Sequence, residues 1–252
     1  MSRYFMELAY KGSCFCGWQR QPNGVSVQGE LEKGLALILR SPVAVTGAGR
    51  TDAGVHAKYM VAHFDFEAEI KDKDKLALRL SKVLSPDIVV YKISQVGSDA
   101  HSRFDALARR YEYWITTERN PFLQQLATQL NYGVDFALMN RAAAILTEYS
   151  DFSSFSKLHS DNLTNICKVE FARWEKKEEI FVFTIQADRF LRNMVRAIVG
   201  TLLDVGRGRL TLDDFRKIIE SKDRGEAGTS APAQGLYLVD VIYPQEVFTR
   251  SL

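Results

Sequence analysis

Gly47-Ala48-Gly49-Arg50-Thr51-Asp52-Ala53-Gly54-Val55-His56 separates two strand patterns. Before it, Val43 and Val45 begin a short strand that ends in the first glycines; after it, residues 59–66 alternate through Met60, Ala62, Phe64 and Phe66. No helical pattern follows the glycines and the third one is misplaced for a dinucleotide fingerprint, while the Gly-Lys-Ser/Thr ending of a Walker loop is missing. What remains is a loop in which glycine permits positive φ and a close backbone approach, presenting Arg50 and Asp52. From spacing alone, a structural turn with a surface ion pair explains it as well as a site does.

Upstream, Tyr4, Met6, Leu8 and Tyr10 alternate with Phe5, Glu7 and Ala9, the period of a strand over residues 3–10. Pro22-Asn23-Gly24 marks a turn, and Ser26 can cap a helix carrying Val27, Leu31, Leu35, Ile38 and Leu39. Downstream, a helix fits Asp74 to Leu84, stopped by Pro86, and a strand fits Ile88 to Val96. The second half repeats the mixture. Strands fit Arg109–Thr116, Ile166–Trp174, Ile180–Ala187 and Leu236–Tyr243; helices fit Phe136–Glu148 and Phe190–Val205. Thr211 and Asp214 form a capping-box pattern before Phe215, Ile218 and Ile219, and the charged run Glu175–Glu179 reads as a hairpin tip. Strands and helices do not alternate strictly, which points to an α+β fold rather than a doubly wound sheet. The expected division is residues 1–105, with the Asp52 loop, and residues 106–252.

The 252 residues suit one large domain or two small ones, and 46% hydrophobic residues suffice for a core. A net charge of +2 does not announce a nucleic-acid partner, so any phosphate-binding surface must arise by local clustering. No apolar run reaches the roughly 20 residues of a membrane helix, and Met1-Ser2-Arg3-Tyr4 leads straight into a strand pattern without a signal peptide. Three cysteines cannot all pair, which suits a reducing cytoplasm. Cys14 and Cys16 lack a second pair with metal-site spacing, so no metal is expected; Cys167 reads as a small buried hydrophobe. His56, His63, His101 and His159 are scattered, and no serine or cysteine has the setting of a hydrolase nucleophile.

Two further stretches carry charge beside aromatics. Arg109-Arg110-Tyr111-Glu112-Tyr113-Trp114 holds the materials of a base-stacking platform, and equally those of a sheet face with solvated arginines. In a helix starting at Phe190, the residues Arg189, Arg192 and Arg196 would lie within about 60° of one another, opposite Leu191, Met194, Ile198 and Leu202. Such a stripe can face phosphates or simply water.

Taken together, these stretches resemble the tRNA pseudouridine synthase A family. Four blocks carry the resemblance, in the family's order: Phe15–Gly24 leading to Val27-Gln28 and Leu31-Glu32; Gly49–Ala57; Ala108–Tyr113; and Phe190–Arg196 with Ala231–Leu238. The resemblance implies two similar α+β halves joined into one extended sheet with a central cleft, a homodimer, and no cofactor. It implies catalysis by Asp52 on uridine at positions 38, 39 and 40 of the tRNA anticodon stem-loop. Tyr111, Arg196 and Arg50 would bind substrate, and Arg109, Arg110, Arg189 and Arg192 would contact tRNA phosphates. One departure is the nearly uncharged Ser160–Asn165, where relatives often carry a basic segment.

The chemistry asks for little beyond a carboxylate. Isomerising uridine breaks the glycosidic bond, turns the base and rejoins it through C5, with no net redox change. An aspartate is ionised at neutral pH, and an arginine partner would keep it so. A tyrosine stacked on the freed uracil retains it, and the target base must first leave its helix. Two rivals stand beside this reading. A non-catalytic RNA-binding module would lack a use for Asp52, and a glycosidase ordinarily needs two carboxylates where this loop offers one. A pseudouridine synthase acting on other RNA positions is the near alternative.

Overall fold

The alternation near the N-terminus becomes strand β1, Ser2–Tyr10, in which Tyr4, Met6, Leu8 and Tyr10 are buried, with Phe5 buried on the other face. The structure, a computed structural model, describes residues 1–157 and 163–249. The fold is α+β, and the chain divides into two units: Met1–Leu107 together with the residues from Leu238, and Ala108–Tyr237.

In the first unit β1 lies between β3 (His56–Phe66) and β4 (Ile88–Val96), antiparallel to both, and the three-residue β2 (Val45–Gly47) pairs with β3. Helices α1 (Val27–Leu39) and α2 (Lys73–Val83) start where capping residues allow. Ser26 accepts from the Gly29 N–H at 3.2 Å and Asp72 from the Lys75 N–H at 2.8 Å, each satisfying an orphan donor of the first turn. One hydroxyl ties α2 to the sheet: Ser81 Oγ accepts from the Val90 N–H at 3.0 Å and donates to the Val90 carbonyl at 3.2 Å.

The second unit is built alike. Strand β8 (Ile180–Ala187) lies between β5 (Ala108–Thr116) and β7 (Val169–Lys177), antiparallel to both, with β6 (Thr128–Gln129) parallel to β5. Helix α3 (Phe136–Ile145) is tied to β7 as α2 is to β4: Asn140 accepts from the Trp174 N–H at 2.7 Å and donates to its carbonyl at 2.9 Å. Phe136 stacks on Phe181 at 3.7 Å, and Trp174 packs on Phe183 beside them. Helices α4 (Met194–Gly206) and α5 (Leu212–Ser221) follow, the latter opened by the expected capping box. The 175–179 run is a hairpin tip, with Glu178 at φ 52°.

Several boundaries differ from the sequence reading, four of them consequentially. Helix α4 begins at Met194 rather than Phe190, because Asn193 adopts a left-handed conformation at φ 67°. Arg189 and Arg192 therefore precede the helix and share no helical face with Arg196. The β7 ladder begins at Val169; Ile166 instead forms an isolated bridge with Asp151. The helix expected to Glu148 ends at Ile145 and tightens into a 3₁₀ turn, Leu146–Glu148. Finally, the chain end groups with the first unit rather than with residues from 106. After β9 (Leu236–Ile242), Tyr243 and Phe248 in α6 (Glu246–Thr249) each pack on the Phe5 ring at 5.8 Å, and the Leu107 N–H donates to the Ile242 carbonyl at 2.8 Å. Of the uncharged Ser160–Asn165 stretch, residues 160–162 lie outside the described residues, as does His159.

Candidate active site

The loop between β2 and β3 is anchored by the first sequence block. The Trp18 N–H donates to the Thr51 carbonyl at 3.1 Å, and the Gly54 N–H to the Phe15 carbonyl at 3.4 Å. Inside the loop, the Val55 N–H closes a turn onto the Asp52 carbonyl at 3.2 Å. Two side-chain bonds complete the clamp: Tyr10 and Thr51 share a hydroxyl–hydroxyl bond of 2.8 Å, and His56 Nδ1 accepts from the Gly12 N–H at 3.0 Å. That bond fixes the His56 tautomer with its proton on Nε2. The approach is so close that only glycine fits: a methyl group on Gly12 would lie 2.0 Å from the Val55 carbonyl oxygen, and one on Gly17, at φ 93°, would lie 2.5 Å from the Thr51 carbonyl oxygen. Asp52 is half-buried on this clamped loop, and Arg50, two residues before it, is exposed.

Helix α1 fixes the strand leading into the loop. Gln28 and Glu32, one turn apart, meet both main-chain groups of Val45. The Gln28 amide donates to the Val45 carbonyl at 2.9 Å, and Glu32 accepts from the Val45 N–H at 3.1 Å. Gln28 is saturated, since its oxygen also accepts from Gln19 Nε2 at 2.7 Å and from the Arg20 N–H at 2.9 Å. Trp18, Gln19, Gln28 and Arg50 help line an open cavity of about 210 Å³ beside the loop.

In the second unit, Tyr111 stands half-buried on β5 opposite Ile185, its ring edge-on to Phe190 at 5.0 Å. Tyr113, two residues on, is fully buried and bonds Thr128 Oγ1 at 2.6 Å and the Pro232 carbonyl at 2.8 Å; burial pushes its phenol well above the usual range. Arg196 Nε donates to the Ala231 carbonyl at 2.7 Å, and the Ala231 N–H returns a bond to the Arg196 carbonyl at 2.9 Å. Asn193 donates to Ser230 Oγ at 2.6 Å. The third and fourth blocks thus converge on residues 230–235. Arg109 donates to the Asp188 carbonyl at 2.9 Å and Arg110 to Gln186 at 2.8 Å; Arg189 is half-buried and Arg192 exposed.

Burial pushes the Cys167 thiol up to about 12, which makes it an inert core residue. Among the described residues, no group of three His, Cys, Asp or Glu side chains could hold a metal ion, and no helix is long and apolar enough to cross a membrane.

A family model described as tRNA pseudouridine synthase matches residues 142–244. The chain is 59% identical over 249 residues to a tRNA pseudouridine synthase A of Bacteroides fragilis, covering 98% of this chain and 99% of that protein. It is 56% identical to that of Parabacteroides distasonis, covering 98% of each, and 41% identical to that of Aeromonas salmonicida, covering 99% and 93%. The chain belongs to the tRNA pseudouridine synthase A family. As a member of the tRNA pseudouridine synthase A family it is an isomerase. The sequence reading singled out Tyr111 and missed the anchoring role of Tyr113; the period of two put both on one face but said nothing of depth. It also missed that Gln28 and Glu32 grip Val45, although their i, i+4 spacing on α1 is the only local signal such a grip can leave.

Proposed function

We propose that this chain isomerises uridine to pseudouridine in tRNA, at positions 38, 39 and 40 of the anticodon stem-loop, with Asp52 as the catalytic group and without a cofactor. Membership of the family supports the reaction, and the clamped loop presenting the half-buried Asp52 is the observation that carries the assignment. The N1–C1′ bond breaks and its electron pair leaves with the uracil. The base turns, the electron pair at C5 forms the C5–C1′ bond, the C5 proton is lost, and N1 gains a proton. The Asp52 carboxylate serves either by bonding to C1′ until C5 replaces it, or by taking the C2′ proton and returning it. Tyr111 stacks on the detached uracil, and Arg196 binds the substrate. Arg50 meets the substrate strand, and Arg109, Arg110, Arg189 and Arg192 meet tRNA phosphates. The enzyme works as a homodimer in the cytoplasm; a monomeric mass by light scattering would count against the dimer, and mapping pseudouridines in a strain lacking the protein tests the positions.

Asp52→Asn keeps the shape and removes the charge. Single-turnover tritium release from C5-labelled uridine in tRNA should fall by at least ~10³-fold, the loss expected of a central catalytic group. Filter binding should change little, since most affinity lies in phosphate contacts. Near-normal release would refute the assignment of Asp52, and free uracil as product would indicate a hydrolase.

A further inference from the structure

Beside the Asp52 loop the cavity wall is basic and has no acidic member: Arg50 and Arg103 line it with Gln19, Gln28 and Thr46, over the buried Trp18. Its 210 Å³ is the space of about seven waters, more than a lone ion needs. Gly49 also lines it, and this glycine differs from Gly12 and Gly17. A methyl group on Gly49 would meet nothing within 4 Å, and its φ is not left-handed, so neither packing nor backbone conformation demands a glycine there. A glycine without an internal reason lets something else approach the main chain.

Arg103 comes from a turn that is fixed in place. Ser102 Oγ donates to the Thr46 carbonyl at 2.9 Å and pairs with His63 Nδ1 at 2.8 Å, and the Tyr243 hydroxyl donates to the Ser102 carbonyl. His101 Nδ1 accepts from the Arg103 N–H at 3.1 Å. The next residue, Phe104, is 75% exposed, and its ring rests on the His101 imidazole at 4.2 Å. A guanidinium facing the cavity and an exposed ring thus sit side by side on a rigid turn, the pairing that grips phosphate and base of one strand.

We infer that this cavity takes the sugar–phosphate of a substrate RNA nucleotide, with its phosphodiester held between Arg50 and Arg103 against Gly49, while Phe104 stacks a base of the same strand. The inference rests on the proposed tRNA substrate and adds Gly49, Arg103 and Phe104 as its positioning residues.

The test is binding of a synthetic anticodon stem-loop by the full chain across a range of salt. Arg103→Gln should weaken binding about tenfold at low salt and flatten the log–log salt slope by about one. Phe104→Ala should weaken it about tenfold at all salt concentrations, and Phe104→Trp should restore it. Gly49→Ala should weaken binding while leaving the melting temperature unchanged. A single neutral methylphosphonate linkage, scanned along the stem-loop, should at one position cost the wild type clearly more affinity than it costs Arg103→Gln. Unchanged affinity and slope in the Arg103 and Phe104 variants would overturn the inference. So would a change in oligomeric mass with RNA binding intact, which would assign the turn to a contact between chains. Because the readout is binding, failure of the Asp52 assignment leaves this test standing, and the reverse also holds.

Discussion

Around Asp52 the chain is held chiefly through its main chain: Trp18 to Thr51, Gly54 to Phe15 and Val55 to Asp52 are all backbone bonds, and Gly12 and Gly17 allow two segments to touch. Around Arg196 and Tyr113 the hold runs largely through side chains, which reach the Ala231 and Pro232 carbonyls. The first arrangement has no spare conformations, since a bulkier residue at the contact forces the two segments apart. The second is made of separate bonds that can be removed singly. Placement of the proposed catalytic group should therefore fail abruptly on mutation, and the segment at 230–235 should loosen by degrees.

Of the changes that test this contrast, Gly12→Ala should have the largest effect, since it thrusts a methyl group against the Val55 carbonyl. Overpacking of this kind costs about 1–3 kcal/mol, and a displacement of about 1 Å in the loop should cost about 10²-fold in single-turnover rate, with RNA binding nearly unchanged. A normal rate would show that the clamp does not position Asp52. Next is Tyr111→Ala, which removes the ring proposed to stack on uracil; turnover should fall roughly 10-fold or more, while Tyr111→Phe stays near wild type. Equal losses in both would shift the role to the hydroxyl. The smallest effect belongs to Tyr113→Phe. It leaves the Pro232 carbonyl and Thr128 without a partner and should lower stability by about 1–2 kcal/mol in denaturant titration, with turnover within a few-fold. An abrupt loss of activity here would erase the contrast between the two regions.

The elements legible in the sequence were those specified by local pattern. The strands Ile88–Val96 and Ile180–Ala187 occur with the bounds read from the sequence, and the caps at Ser26 and Thr211 work as their side chains suggest. Helix α4 was misread at its start because Phe190–Asn193 continues the apolar period, and period alone does not reveal the left-handed Asn193. Ile166 lies in the stretch read as strand, but it bridges Asp151 instead of joining the β7 ladder. In the loop, the glycines and Asp52 were conspicuous, whereas the clamp was not: its partners, Tyr10, Gly12 and Trp18, lie more than 30 residues away in sequence. Gly49 and Gly12 look identical in sequence; only the space around them tells one from the other.

Among the described residues, β2 has one neighbouring strand, β3, so its other side is an edge. The side chains of Gln28 and Glu32 occupy that edge at Val45 as a neighbouring strand would, one donating a hydrogen bond and the other accepting one. An open edge is a template on which foreign strands add and aggregates grow; this one is sealed at its first residue by a helix of the same chain. The seal also forbids slippage. A shift of one residue would turn every side chain of β2 to the opposite face and carry the glycines away from their partners. Two polar residues on a helix thereby act as a ratchet stop, and newly made chains with this stop removed should accumulate as insoluble material before any loss of catalysis could be measured.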